Sequence, residues 1–119
     1  MKKSSFTRKE RLKKNQAIKA VFDKGTRFRS KLVTVFLLKR NKDPGLNRVA
    51  FAVRKGLYNK KPSLRNRYRR VLREAYRKTK EFMPGGYDMI VLATNLTRQT
   101  KSTSLEQELI HVFKKCVKK

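Results

Sequence analysis

The sequence predicts an α+β fold, an αβββαβα two-layer sandwich in which helices pack on a mixed sheet. Three observations lead there. Hydrophobic periodicity changes along the chain in the order helix, three strands, helix, strand, helix. Residues 48–54, RVAFAVR, alternate strictly: Val49, Phe51 and Val53 share one face, Ala50 and Ala52 the other. A strand with one bulky and one small face fits a sheet covered by helices on one side and open or shallow on the other. Residues 63–78, SLRNRYRRVLREAYRK, split at ~100° per residue into two arcs. Leu64, Tyr68, Val71, Leu72, Ala75 and Tyr76 form the apolar arc, and the rest is basic. The 119 residues suit a single domain with one modest core.

Taken in order, residues 1–14 (MKKSSFTRKERLKK) form a basic, flexible arm able to order on RNA, with Phe6 and Leu12 as its apolar anchors. Residues 15–24 form a short helix with Asn15 as N-cap and Gly25 as the C′ residue. Its stripe, Ile18, Val21 and Phe22, must dock, because so short a helix is marginal alone. Residues 26–30 make a weak strand and residues 32–39 (LVTVFLLK) a β-branched one. Residues 41–47 are a turn centred on Pro44-Gly45, and residues 48–54 are the third strand. After a loop over 55–62, Pro62 suits a helix start and Ser63 a cap. The basic helix must stop by Pro84-Gly85-Gly86. Residues 87–94 (YDMIVLAT) are the most apolar strand and therefore the central one. Thr103-Ser104-Leu105-Glu106 is a capping-box pattern opening the last helix. Leu105, Leu109, Val112, Phe113 and Cys116 trace that helix's apolar face, and Lys114, Lys115, Lys118 and Lys119 place cations in its final turns.

Charge dominates the composition. Thirty-four Lys and Arg against eight Asp and Glu give a formal net charge of +26. The basic residues run through the whole chain and no long apolar run accompanies them, so nucleic acid is the leading partner and a membrane is not. The single cysteine excludes an internal disulfide and suits a reducing cytoplasm. No signal peptide is visible.

Catalytic groupings are not evident. His111 and Cys116 are too few for a zinc site. The acids are scattered, without a carboxylate cluster for metal-ion phosphodiester chemistry, and no Gly-rich loop cradles a phosphate. Binding chemistry is abundant instead. Arg65, Arg69, Arg73 and Arg77 recur every fourth residue, about one ~5.4 Å turn, a spacing that can meet successive phosphates. Glu74 is the only acid on that face. Phe22 and Phe36 read by periodicity first as core residues, and second as a platform on which unpaired bases stack.

At Arg65-Asn66-Arg67-Tyr68-Arg69-Arg70, followed by Arg73, the sequence resembles the protein subunit of bacterial ribonuclease P. That family carries an Arg-Asn-Arg-x-Lys/Arg-Arg pattern on its second helix. The likeness covers most of the chain, through RLKKN at residues 11–15, Val21-Phe22 with Gly25-Thr26, and Val53-Arg54-Lys55. It implies the family's ribosomal-protein-S5-domain-2-like fold with a left-handed βαβ crossover. It also implies a cofactor role: a large RNA carries out Mg²⁺-dependent removal of the 5′ leader from precursor tRNA, and the protein binds both. Matched by position, Arg65, Asn66, Arg67, Arg69, Arg70 and Arg73 are the RNA-contacting residues, while Phe22, Phe36, Ile18 and Lys55 fall in the leader cleft. Ile18 stands where the family often has an aromatic, and the loop before the motif is slightly longer than the usual turn. No protein residue is implied as catalytic, and Mg²⁺ is bound mainly by RNA and substrate. A structural RNA-binding protein, such as a ribosomal protein, is the alternative that charge alone would equally allow. The motif favours the ribonuclease P subunit.

Overall fold

The computed structural model describes residues 11–40, 47–54, 56, 61–83, 85–97 and 99–117. Its elements are α1 (Asn15–Lys24), β1 (Thr26–Arg29), β2 (Val33–Lys39), β3 (Arg48–Val53), α2 (Pro62–Thr79), a 3₁₀ turn (Lys80–Phe82), β4 (Tyr87–Ala93) and α3 (Ser102–Val117). One mixed sheet has the order β1-β2-β4-β3. β2 runs antiparallel to β1 and β4, and β3 runs parallel to β4. Parallel neighbours need a long crossover, and α2 supplies it as the helix of a β3-α2-β4 unit. β4, the most apolar strand, is central as expected.

Strand alternation sorts the side chains onto two faces. Val33, Val35, Leu37, Val49, Met89, Val91 and Ala93 meet α2 and α3 in the main core. There α2 contributes Tyr68, Leu72, Ala75 and Tyr76, and α3 contributes Leu105, Leu109, Val112 and Phe113. The other face carries a smaller cluster, in which Val21 of α1 and Leu12 pack on Ile90 with Ile18, Phe36, Ala50 and Ala52 around them. The small residues at 50 and 52 let α1 lie close to the sheet, and α1 covers only part of this face.

Four helix ends differ from the sequence expectation. Lys14, not Asn15, is the N-cap of α1, and no side chain caps it. Lys61 is the N-cap of α2, so Pro62 takes the first helical position and Ser63 lies inside the first turn. Proline suits that position because the missing N–H would have no helical partner there. α3 begins at Ser102, ahead of the Thr103 cap. At Gly25 the backbone is extended (φ −73°, ψ 160°), so the glycine is not a left-handed C′ residue. Its role is close approach: a Cβ there would lie 2.4 Å from the Val21 carbonyl oxygen and 2.8 Å from that of Leu37. α2 stops at Thr79, short of the proline. The buried Thr79 hydroxyl donates back to the Ala75 carbonyl at 2.9 Å, and the chain tightens into the 3₁₀ turn.

One buried acid pins the far end of the sheet. Asp88 accepts two hydrogen bonds from Arg48, from Nε at 2.8 Å and from Nη2 at 2.9 Å, and Arg40 Nε lies 3.5 Å away. Beside it, Asn47 Oδ1 accepts from the Tyr87 N–H at 2.9 Å. Gly86, at φ 92°, offers its carbonyl to the Arg40 N–H at 2.8 Å, a backbone conformation that glycine adopts without steric cost.

Candidate nucleic-acid interface

Docking α2 through its apolar arc fixes where its arginines point. Arg65, Asn66, Arg67, Arg70 and Arg73 are exposed, and Arg69 is half-buried. They separate onto two flanks. Arg67 and Arg70 line a hollow of about 560 Å³ with Ser63 and Leu64. Arg69 and Arg73 turn the other way, to a groove of about 300 Å³ along the outer edge of β3, beside Val49 and Phe51. Arg11 and Lys13 complete that groove. The segment carrying them is held as a short parallel bridge to β3, with the Leu12 N–H donating to the Val49 carbonyl at 2.9 Å. Arg69 Nε is buried and has no hydrogen-bond partner among the described residues. A buried donor without an acceptor is destabilising by ~1–3 kcal/mol.

Arg77 leaves the ridge. It forks onto the Glu74 carboxylate, Nε to Oε2 at 3.3 Å and Nη2 to Oε1. Lys78 lies 3.7 Å from Glu74 and 3.9 Å from Glu106 of α3. The basic face therefore ends at Arg73. The hydrogen bond from Arg77, with the charges of Arg77 and Lys78, holds the Glu74 carboxyl below the usual carboxylate range against the opposing effect of desolvation. A depressed carboxyl contributes stability above its unfolded pKa and loses it as pH falls through the folded value. Glu74→Gln is thus expected to melt slightly lower than wild type at neutral pH and to match it once the carboxyl is protonated, as thermal melts across acidic pH will show. The effect is small, because the pair is solvent-screened.

The second surface is the part of the sheet that α1 leaves open. A cleft of about 370 Å³ is floored by Thr34, Phe36 and Leu92, with Arg27 and Arg29 of β1 along one side and Thr94 at its end. Phe36 is half-buried, and Phe22 of α1 stands edge-on to it, with ring centroids 4.8 Å apart. Phe22 is 42% exposed. Neither ring belongs to the main core; Phe36 packs on the smaller cluster around Val21 and Ile90, in line with its reading as a core residue, whereas that reading is corrected for Phe22, which α1 leaves exposed. Ile18 packs in the same small cluster as Phe36 and also lines the β3-edge groove with Arg69 and Arg73. Lys55 lies outside the described residues.

Arg54 was not anticipated. Its Nε donates to the Thr94 carbonyl at 3.2 Å. The signal was in the alternation: 50, 52 and 54 share a face, which puts a guanidinium at the β3 side of the open face.

Four of the described acids are engaged with partners of their own. Asp88 is held by Arg48, Glu74 by Arg77, Glu106 lies near Lys78, and Glu108 accepts from the Ser30 hydroxyl and the Leu32 N–H. Among the described residues, no three His, Cys, Asp or Glu come together in a way that could hold a metal ion. His111 is exposed on α3, and the Cys116 side chain is outside the described set. What the described surfaces offer is guanidinium groups and aromatic rings, the chemistry that meets phosphates and bases.

The profile of a family described as Ribonuclease P matches residues 6–117. The chain belongs to that family. The ribonuclease P protein component of Natranaerobius thermophilus is 36% identical over 104 residues, 87% of each chain. A solved Staphylococcus aureus RNase P protein superposes with a TM-score of 0.72 at 26% identity, covering 90% of this chain and 94% of the other. A second S. aureus structure, of a mutant described as having defective mRNA degradation activity, gives 0.74 at 26% identity over 91% and 88%. As a ribonuclease P protein, the chain is a subunit of a ribonucleoprotein, and RNA is its partner. No helix among the described residues is long and apolar enough to cross a membrane.

Proposed function

We propose that this chain is the non-catalytic, RNA-holding subunit of cytoplasmic ribonuclease P. Arg65, Asn66, Arg67, Arg69, Arg70 and Arg73 anchor the enzyme's RNA, and the cleft at Phe22 and Phe36 receives the single-stranded 5′ leader of precursor tRNA. Magnesium is bound mainly by the RNA subunit and substrate, and the RNA carries the hydrolysis. The observation that carries this reading is the pair of basic surfaces with no acid among their described lining residues, one a groove whose Arg69 Nε has no hydrogen-bond partner among the described residues and the other an aromatic cleft. The first suits structured phosphates, and the second suits unpaired bases.

Reconstitution tests it. Added to a bacterial ribonuclease P RNA at low Mg²⁺, the protein is expected to stimulate precursor-tRNA cleavage strongly, and protein without RNA to leave the substrate intact. No stimulation would overturn the reading. Cleavage by RNA-free protein would move the chemistry to the chain itself, a control made pertinent by the S. aureus mutant.

A further inference from the structure

β1 is a free edge of the sheet, and one side chain sets its register. Phe28 packs against the main core, opposite Val35. Successive strand residues point to opposite faces, so Arg27 and Arg29 both turn to the other face. There they stand opposite Phe36 and Thr34 and line the cleft. Charges on edge strands commonly serve only to block pairing with another sheet. Two features set this pair apart. Both guanidinium groups line a concave surface with an aromatic floor, and no carboxylate is among the described residues lining it. Of the acids on neighbouring elements, Glu108 is already engaged by Ser30 Oγ at 2.6 Å and the Leu32 N–H at 2.8 Å, and Asp23, exposed on α1, is not among the described residues lining the cleft.

We propose that Arg27 and Arg29 form a phosphate track, gripping two successive phosphates of a single-stranded RNA whose bases lie on Phe36 and Phe22. This rests on the reading of the cleft as the leader site and adds to it a backbone-binding wall. Alternate residues of an antiparallel strand are ~6.8 Å apart, a step comparable to that between phosphates of an extended single strand. Guanidinium forks meet phosphate oxygens in two parallel hydrogen bonds, which a lysine ammonium does not reproduce. Backbone contacts carry no base information, so the track makes leader binding depend on the presence of leader phosphates and not on leader sequence.

The test uses holoenzyme reconstituted with ribonuclease P RNA. Binding of leader-bearing precursor tRNA and of mature tRNA is titrated over a range of salt. Arg27→Gln with Arg29→Gln is expected to lower the salt slope for precursor tRNA by about 1.4, two contacts at ~0.7 each for a single strand. Over a fourfold change in salt this is about sevenfold in affinity. The slope for mature tRNA should not change. Arg27→Lys with Arg29→Lys should keep the slope while losing part of the affinity, which separates charge from misfolding. An unchanged precursor slope, while Phe36→Ala still removes the preference for leader-bearing substrate, would overturn the track and leave the cleft reading standing. Neither variant affecting that preference would overturn both. Equal losses for the two RNAs would place the arginines on another RNA surface and overturn the track.

Discussion

Arg69→Ala combined with Arg73→Ala is expected to weaken binding of ribonuclease P RNA by tenfold or more near physiological salt. The slope of log affinity against log salt should fall by about 1.8, two phosphate contacts at the duplex value of ~0.9 each. These two arginines are singled out by geometry. Both face the groove at the β3 edge, where Arg11 and Lys13 add charge from a separate segment. Arg69 Nε is buried without a hydrogen-bond partner among the described residues. A phosphate oxygen would supply the acceptor, which makes this position stronger than a fully solvated arginine on the same helix. Arg77 provides the internal comparison: its guanidinium is already occupied by Glu74, and Arg77→Ala should change the slope little. Lysine at 69 and 73 should restore most of the slope and only part of the affinity, because the fork is lost. Filter-binding titrations at several salt concentrations decide the matter. A folded double-alanine variant with a wild-type slope would remove this groove from the RNA-binding surface.

Much of this site was legible in the sequence, and the reason differs from residue to residue. The arginine face of α2 could be read because a helix that buries Tyr68, Leu72, Ala75 and Tyr76 leaves its arginines the side away from the core. The division of those arginines into two flanks could not. It depends on what lies on each side of α2, the β3 edge on one and α3 on the other, and helical periodicity carries no such information. The neutralisation of Arg77 sits between the two. The i,i+3 spacing from Glu74 is visible in the sequence, but a ridge at i,i+4 masks it. Phe22 misled for a related reason. Its spacing from Ile18 marks a docking stripe, yet the sheet beneath offers Ala50 and Ala52 and not a deep core, so α1 rests with its last aromatic half in solvent. The cap residues failed because side-chain capping is one of several ways to end a helix, and here backbone and proline served.

The arrangement has a consequence for folding. Surfaces this basic repel one another, and the net charge of +26 works against the compact state. The described acids are used instead as internal ties, at Asp88, Glu106 and Glu108, which hold strand ends and helices together. Stability then leans on the apolar contact between the sheet, α2 and α3. Anions or RNA binding the folded form add to it by mass action.

Tyr76→Ala is therefore expected to be the most damaging single substitution for the fold. Tyr76 is 1% exposed and central to a run of three rings. It lies edge-on to Phe51 of β3, with centroids 5.9 Å apart, and to Phe113 of α3 at 6.5 Å. Removing it opens a cavity where the sheet and both long helices meet, at a cost of ~3–5 kcal/mol. A domain of this size has only ~5–15 kcal/mol in all, so the free variant should be largely unfolded at low ionic strength. Ribonuclease P RNA at about a hundred times its dissociation constant would return ~2.7 kcal/mol, and the variant should regain part of its structure when bound. Urea titrations followed by circular dichroism, with and without sulfate or RNA, measure both effects. A midpoint within error of wild type would show that the rings do not hold α2 and α3 to the sheet. A loss that neither sulfate nor RNA offsets would show that folding is not coupled to anion binding through these surfaces.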